Sequence, residues 1–183
     1  MKRWMLPVVM MAGVLSGAAL AQSQQPYTGL ETRSIKALSQ QQIDDLKAGR
    51  GMGLALAAEL NGYPGPMHVL ELADALHLSA AQRDKIQGLL MAMKAEAIPL
   101  GEKLIAEETD LDRQFADKTI TATSLTNSVQ AIGATQAALR AAHLRYHLAT
   151  LDLLEPSQIQ RYAALRGYSG NQQPRHGHGG QRH

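Results

Sequence analysis

Two histidines stand four residues apart in His143-Leu144-Arg145-Tyr146-His147. On a helix that spacing stacks both imidazoles on one face, close enough to share a metal ion. The same five residues invite comparison with the His-Glu-x-x-His helix of zinc proteases. That chemistry needs a general-base glutamate directly after the first histidine, and Leu144 stands there instead. The chain also has no Gly-x-Ser-x-Gly elbow, no cysteine and no phosphate-cradling glycine loop. These residues argue against an enzyme and leave binding as the chemistry to explain.

Further ligands must come from elements packed against that helix. No stretch alternates strongly enough for a strand, whereas helical periodicity recurs along the chain. A first helical region is expected from Ser34 to Leu60, broken at Gly49-Arg50-Gly51. The turn Asn61-Gly62-Tyr63-Pro64-Gly65-Pro66 follows, and then a helix from Met67 to Leu76. A long helix is expected over about Ala80–Ala116, with the seam Ile86, Leu90, Met93, Ala97, Leu100, Leu104, Glu107, Leu111 and Phe115. Pro99 should kink this helix without ending it, because the pattern continues in register. After Asp117–Thr121 a second long helix runs to about Leu153. Its seam reads Leu125, Val129, Ile132, Gln136, Leu139, His143, Tyr146, Thr150 and Leu154. A short helix over Pro156–Arg166 closes the set. The fold class expected is all-α: a long antiparallel helical hairpin with short flanking helices.

The hairpin register then selects candidate ligands. With the loop centred near Thr119–Ile120 and equal rise per residue on both helices, His143 lies level with Glu96. His147 lies level with Ala92 and Met93, and His68 comes within a turn or two of it. The candidate metal set is therefore His68, Glu96, His143 and His147, with Met93 as a soft outer ligand, and the ion would be Zn, Ni, Co or Cu. The alternative is a pair of half-buried imidazoles bonded to Glu96, Tyr146 or Gln136, structural and metal-free. Pro99 frees the Ala95 carbonyl beside Glu96, while Glu107 is expected to pair with Lys103. Met91 and Met93, two apart, cannot both face one ion, so a copper(I)-type methionine box is not expected. His77 sits at a helix end facing solvent. The Gly-rich tail carries His176, His178 and His183, a loose metal-recruiting set at most.

The N-terminus reads MKRWMLPVVMMAGVLSGAALAQS, with Lys2 and Arg3 before an apolar stretch and Ala19-Leu20-Ala21 as a small-residue cleavage site. This is the pattern of a secretory signal peptide cut after Ala21, and no later apolar run is long enough to span a bilayer. Periplasmic export is expected. No cysteine follows the cut, which argues against a lipoprotein. Losing Lys2 and Arg3 brings Lys+Arg level with Asp+Glu, so the basic balance of the whole chain vanishes and nucleic acid is a poor partner. Any metal must be held by nitrogen, oxygen or thioether. The organisation expected is signal peptide 1–21, N-terminal helical leader 22–66, helical hairpin domain 67–168 and disordered His/Gly tail 169–183.

One five-residue grammar recurs three times, as Leu38-Ser-Gln-Gln-Gln42, Leu78-Ser-Ala-Ala-Gln82 and Leu154-Glu-Pro-Ser-Gln158. In the first two, Ser79 or its counterpart caps a helix and glutamine three residues on reaches back to the cap. Glu155 is a poorer cap in the third. LSAAQ and LEPSQ, flanking a long helical hairpin behind a signal peptide, resemble the paired LTxxQ motifs of the Spy/CpxP family. The segment GRGMGLALAAELNGYPGP resembles the leader of its periplasmic heavy-metal sensor and zinc-resistance subset. Ser79 and Glu155 depart from the motif threonine. The resemblance, over about Met67–Arg166, implies a hooked hairpin, a cradle-shaped homodimer and no catalysis. It leaves three roles open: a periplasmic metal-responsive stress protein, an ATP-independent chaperone holding unfolded clients, or a regulatory partner of a membrane sensor kinase or sigma-factor system.

Overall fold

Serine and threonine set where three of the helices begin. The Ser39 hydroxyl accepts from Gln42 N–H at 3.2 Å while Gln42 Oε1 accepts from Ser39 N–H at 2.9 Å. Ser79 and Gln82 make the same reciprocal pair at 3.2 and 3.0 Å, and Thr121 makes it with Ser124. Each box satisfies backbone donors that a helix start otherwise leaves bare. At Glu155 only the glutamine half is clear: Gln158 Oε1 accepts from Glu155 N–H at 2.9 Å, and Pro156 opens the helix.

The structure is a computed structural model and describes residues 27–168. The expected signal peptide with its cleavage site and the tail histidines His176, His178 and His183 lie outside the described residues. The chain is all-helical, with no strand among the described residues. A 3-10 turn at Leu30–Thr32 precedes α1 (Gln40–Lys47), α2 (Leu56–Glu59), α3 (Pro66–Glu71), α4 (Ala80–Ala116), α5 (Ala122–Leu151) and α6 (Pro156–Leu165). The leader is thus more broken than the single region expected over Ser34–Leu60, because Gly49 and Gly53 take left-handed backbone between α1 and α2. No described helix is long and apolar enough to cross a membrane.

Helices α4 and α5 pack along each other, joined by the short turn at 117–121. Lys103 Nζ meets Thr135 Oγ1 at 2.6 Å, Gln114 meets Ser128 at 3.3 Å, and Gln82 Nε2 reaches the Leu153 carbonyl at 2.9 Å. Those pairs are the register expected for a loop at Thr119–Ile120. α4 runs through Pro99 unbroken. Most of its expected seam is inward, with Ile86, Met93, Ala97 and Leu104 buried.

Two clusters make the core. Ile35, Leu38, Ile43 and Leu46 of the leader pack on Ala97, Leu104, Ile132 and Leu139. Val69, Ala73, Leu76 and Leu78 pack on Ile86, Leu154 and Tyr162. The leader therefore shares the hairpin's core. Beyond that cover, Phe115, Leu125 and Val129 are exposed although the seam placed them inward. Two helices alone cannot bury a wide apolar stripe, and among the described residues no third helix packs over these three side chains.

Candidate functional site

Between the two clusters, along both long helices, lie Met93, His143 and His147, and the leader is fitted around them. Its approach depends on missing side chains. A Cβ on Gly101 of α4 would stand 2.6 Å from the Leu46 carbonyl oxygen of α1, and one on Gly65 would stand 2.7 Å from the His147 ring. His147 Nδ1 lies 2.6 Å from the Tyr63 carbonyl. A carbonyl only accepts, so Nδ1 carries the proton, and in the neutral ring Nε2 keeps its lone pair.

His143 is 2% exposed, and its Nε2 is buried with no hydrogen-bond partner. Burial, and then the neighbouring His147, push its pKa below the ordinary imidazole value. A neutral ring with an unclaimed nitrogen is the state a metal ligand requires. Gly51 of the leader covers the other side, where a Cβ would lie 3.4 Å from His143 Nδ1.

A buried carboxylate gathers the surroundings. Glu59, at the end of α2, is 5% exposed. Its Oε1 accepts from the Tyr162 hydroxyl and, at 3.2 Å, from the Tyr168 hydroxyl, while Oε2 accepts from Gly65 N–H at 3.3 Å. Arg166 Nε stands 3.7 Å away, His68 Nδ1 3.5 Å and His147 Nδ1 3.8 Å. Burial and the bond to Glu59 raise the Tyr162 phenol far above its usual pKa, so it serves as a permanent donor. This hub ties α2, α3, α5 and α6 together.

A cavity of about 330 Å³ opens at this junction. Its lining includes His68, His143, His147 and Glu59, and three methionines, Met52, Met67 and Met93. Met52 holds a left-handed backbone, φ 43°, uncommon outside glycine. The cavity thus brings imidazoles, one carboxylate of the hub and methionine side chains to a single space.

Of the residues expected to form a metal set, His68, His143, His147 and Met93 border this one cavity. Glu96 does not join them, and that expectation is corrected. Both of its oxygens take Arg145 Nη1, at 2.7 and 2.9 Å. Register fixes height along the hairpin but not rotation about each axis. Met93 and Ala97 hold the inward positions of α4, which turns Glu96 about 100° to the flank where Arg145 emerges. Glu107 pairs with Lys103 at 2.7 Å, as its spacing predicts. Among the described residues no three His, Cys, Asp or Glu side chains group closely enough to hold an ion by themselves.

Reading the spacing missed Glu59, Tyr162, Tyr168 and Arg166 as a unit, and Met52 and Met67 as cavity residues. The signal for Glu59 was its isolation, a single charge in the run Leu54–Leu60 that is otherwise Ala and Leu. The two motifs of the hairpin hold a further arrangement. Gln82 Nε2 donates to Gln158 Oε1 at 2.8 Å, and Gln158 Nε2 donates back to Gln82 Oε1 at 3.2 Å and to the Leu76 carbonyl at 3.3 Å. Leu78 and Leu154 lie in the core cluster beside them. The repeated grammar thus starts two helices and also locks one start to the other.

Comparison with family models, with curated proteins and with solved structures finds no match.

Proposed function

We propose that this chain is an exported, metal-responsive stress protein of Spy/CpxP type, working in the periplasm by binding rather than catalysis, with a transition-metal ion held in the cavity between leader and hairpin. The observation that carries the reading is the buried, partnerless Nε2 of His143 on a cavity that also meets His147, His68 and three methionines. A buried polar atom without a partner costs about 1–3 kcal/mol, and a ligand bound there would offset it. The locked pair Gln82–Gln158 supports reading the fold as the hooked hairpin of that family; the homodimer is what the family resemblance implies. Calorimetric titration of the exported protein with transition-metal ions tests the function. Uptake that weakens in His143→Ala and His147→Ala is expected. No uptake, or uptake unchanged in both variants, contradicts it.

A second reading has one observation behind it. Phe115, Leu125 and Val129 expose apolar surface toward the hairpin turn, 54, 38 and 53% exposed respectively. Such surface suits the holding of unfolded client chains. Light scattering of an aggregating client tests it: suppression at stoichiometric amounts that fades when the three become serine supports a chaperone role. Undiminished aggregation refutes it.

A further inference from the structure

The carboxylates bordering the cavity are already engaged. Glu59 Oε1 receives two tyrosine hydroxyls and Oε2 a backbone N–H. Asp45 Oδ1 receives Gln41 at 2.9 Å and Arg50 at 2.5 Å. His147 gives its Nδ1 proton to the Tyr63 carbonyl, and its Nε2 lies against Gly65. What remains is imidazole nitrogen, on His143, whose Nε2 is buried without a partner, and on His147 and His68, together with three methionine side chains.

Those thioethers come from three separate places: Met52 in the turn before α2, Met67 in α3 and Met93 in α4. Long-range folding has assembled what the neighbours Met91 and Met93 cannot, since Met91 points outward at 59% exposure while Met93 is buried. Thioether sulfur is a soft donor that suits copper(I) better than Ni or Co, and, being uncharged, it neutralises none of the double charge of Zn. Charge acts in the same direction. The cost of moving an ion from water into an apolar site rises steeply with its charge, and no free carboxylate is there to offset a double charge.

We infer that the ion this cavity selects is a soft monovalent d10 cation, Cu(I) or its analogue Ag(I), held by thioethers of Met52, Met67 and Met93 and by Nε2 of His143. The inference rests on the metal-binding reading above and names its ion. Binding forms dative bonds only, so no oxidant, reductant or proton acceptor is required beyond a neutral His143. The left-handed Met52 fits this role, because an uncommon backbone is kept where it aims a side chain.

The test is anaerobic titration of the exported chain, tail included, with Cu(I) buffered by a chromogenic chelator, beside Zn, Ni and Co titrations. The expected result is Cu(I) bound most tightly, with copper–sulfur scattering in X-ray absorption. The pair Met52→Leu and Met67→Leu, which preserves volume, should weaken Cu(I) about tenfold or more while leaving the melting temperature in place. His143→Ala should weaken it as well. If Zn, Ni or Co binds more tightly and the methionine variants change nothing, the soft-ion inference falls and the metal-binding reading stands. If no ion binds in a His143-dependent way, both fall. Cu(I) taken up equally by wild type and every cavity variant overturns the inference too, since the tail histidines then account for it.

Discussion

His143 sets the pH behaviour at the scale of single residues. Its pKa is lowered in the fold, so the unfolded chain binds the proton more readily. Stability is therefore full above the ordinary imidazole pKa of 6.5 and is lost as pH falls from there to the lowered folded value. His143→Leu should flatten that acid loss in chemical denaturation at stepped pH. His68, His147 and Glu59 face the same cavity, so the part that counts is the slope the variant removes. Gly65→Ala should cost about 1–3 kcal/mol by driving a methyl into the His147 ring, read as a shifted denaturation midpoint. At this scale the sequence was half legible. Leu144 excluded the protease chemistry outright, and the spacing of His143 and His147 placed both on the buried face. Glu96 was misjudged because residue numbers carry height along a helix pair, while rotation depends on which neighbours win the interior.

Helices are where the sequence spoke most clearly, through their caps. Ser79 with Gln82 and Ser39 with Gln42 mark starts that the structure keeps to the residue. Their second use was hidden, since one amide bonding another across 76 residues leaves no local trace. Gln82→Ala and Gln158→Ala should each destabilise the protein, and the double variant should cost less than the sum, with a coupling of about 1 kcal/mol. A double-mutant cycle in urea measures it; strict additivity would mean the two glutamines act separately. Gly101→Ala works on a different contact. Its methyl meets the Leu46 carbonyl, a backbone atom that cannot rotate away, so α1 should lift from α4. Hydrogen exchange at Ile43 and Leu46 should then accelerate more than exchange at Val69 and Leu76.

Taken together, the described residues are a long helix pair with the leader built into its core, which the Gly/Pro turn at Asn61–Pro66 did not suggest. Ile35, Leu38, Ile43 and Leu46 supply half of one cluster, so leader and hairpin should unfold in one transition by circular dichroism and by tyrosine fluorescence. Two resolved transitions would separate the leader as a unit of its own. The cavity arises only at this scale, from elements that are each unremarkable alone, and so do its methionines. Its occupation by a metal ion is the central claim. The direct measurement is a metal titration of the protein followed by NMR of the histidine rings and methionine methyls. The account predicts that His143 and the methyls of Met52, Met67 and Met93 move together and saturate together. Shifts confined to His176, His178 and His183, with the cavity signals still, would contradict it.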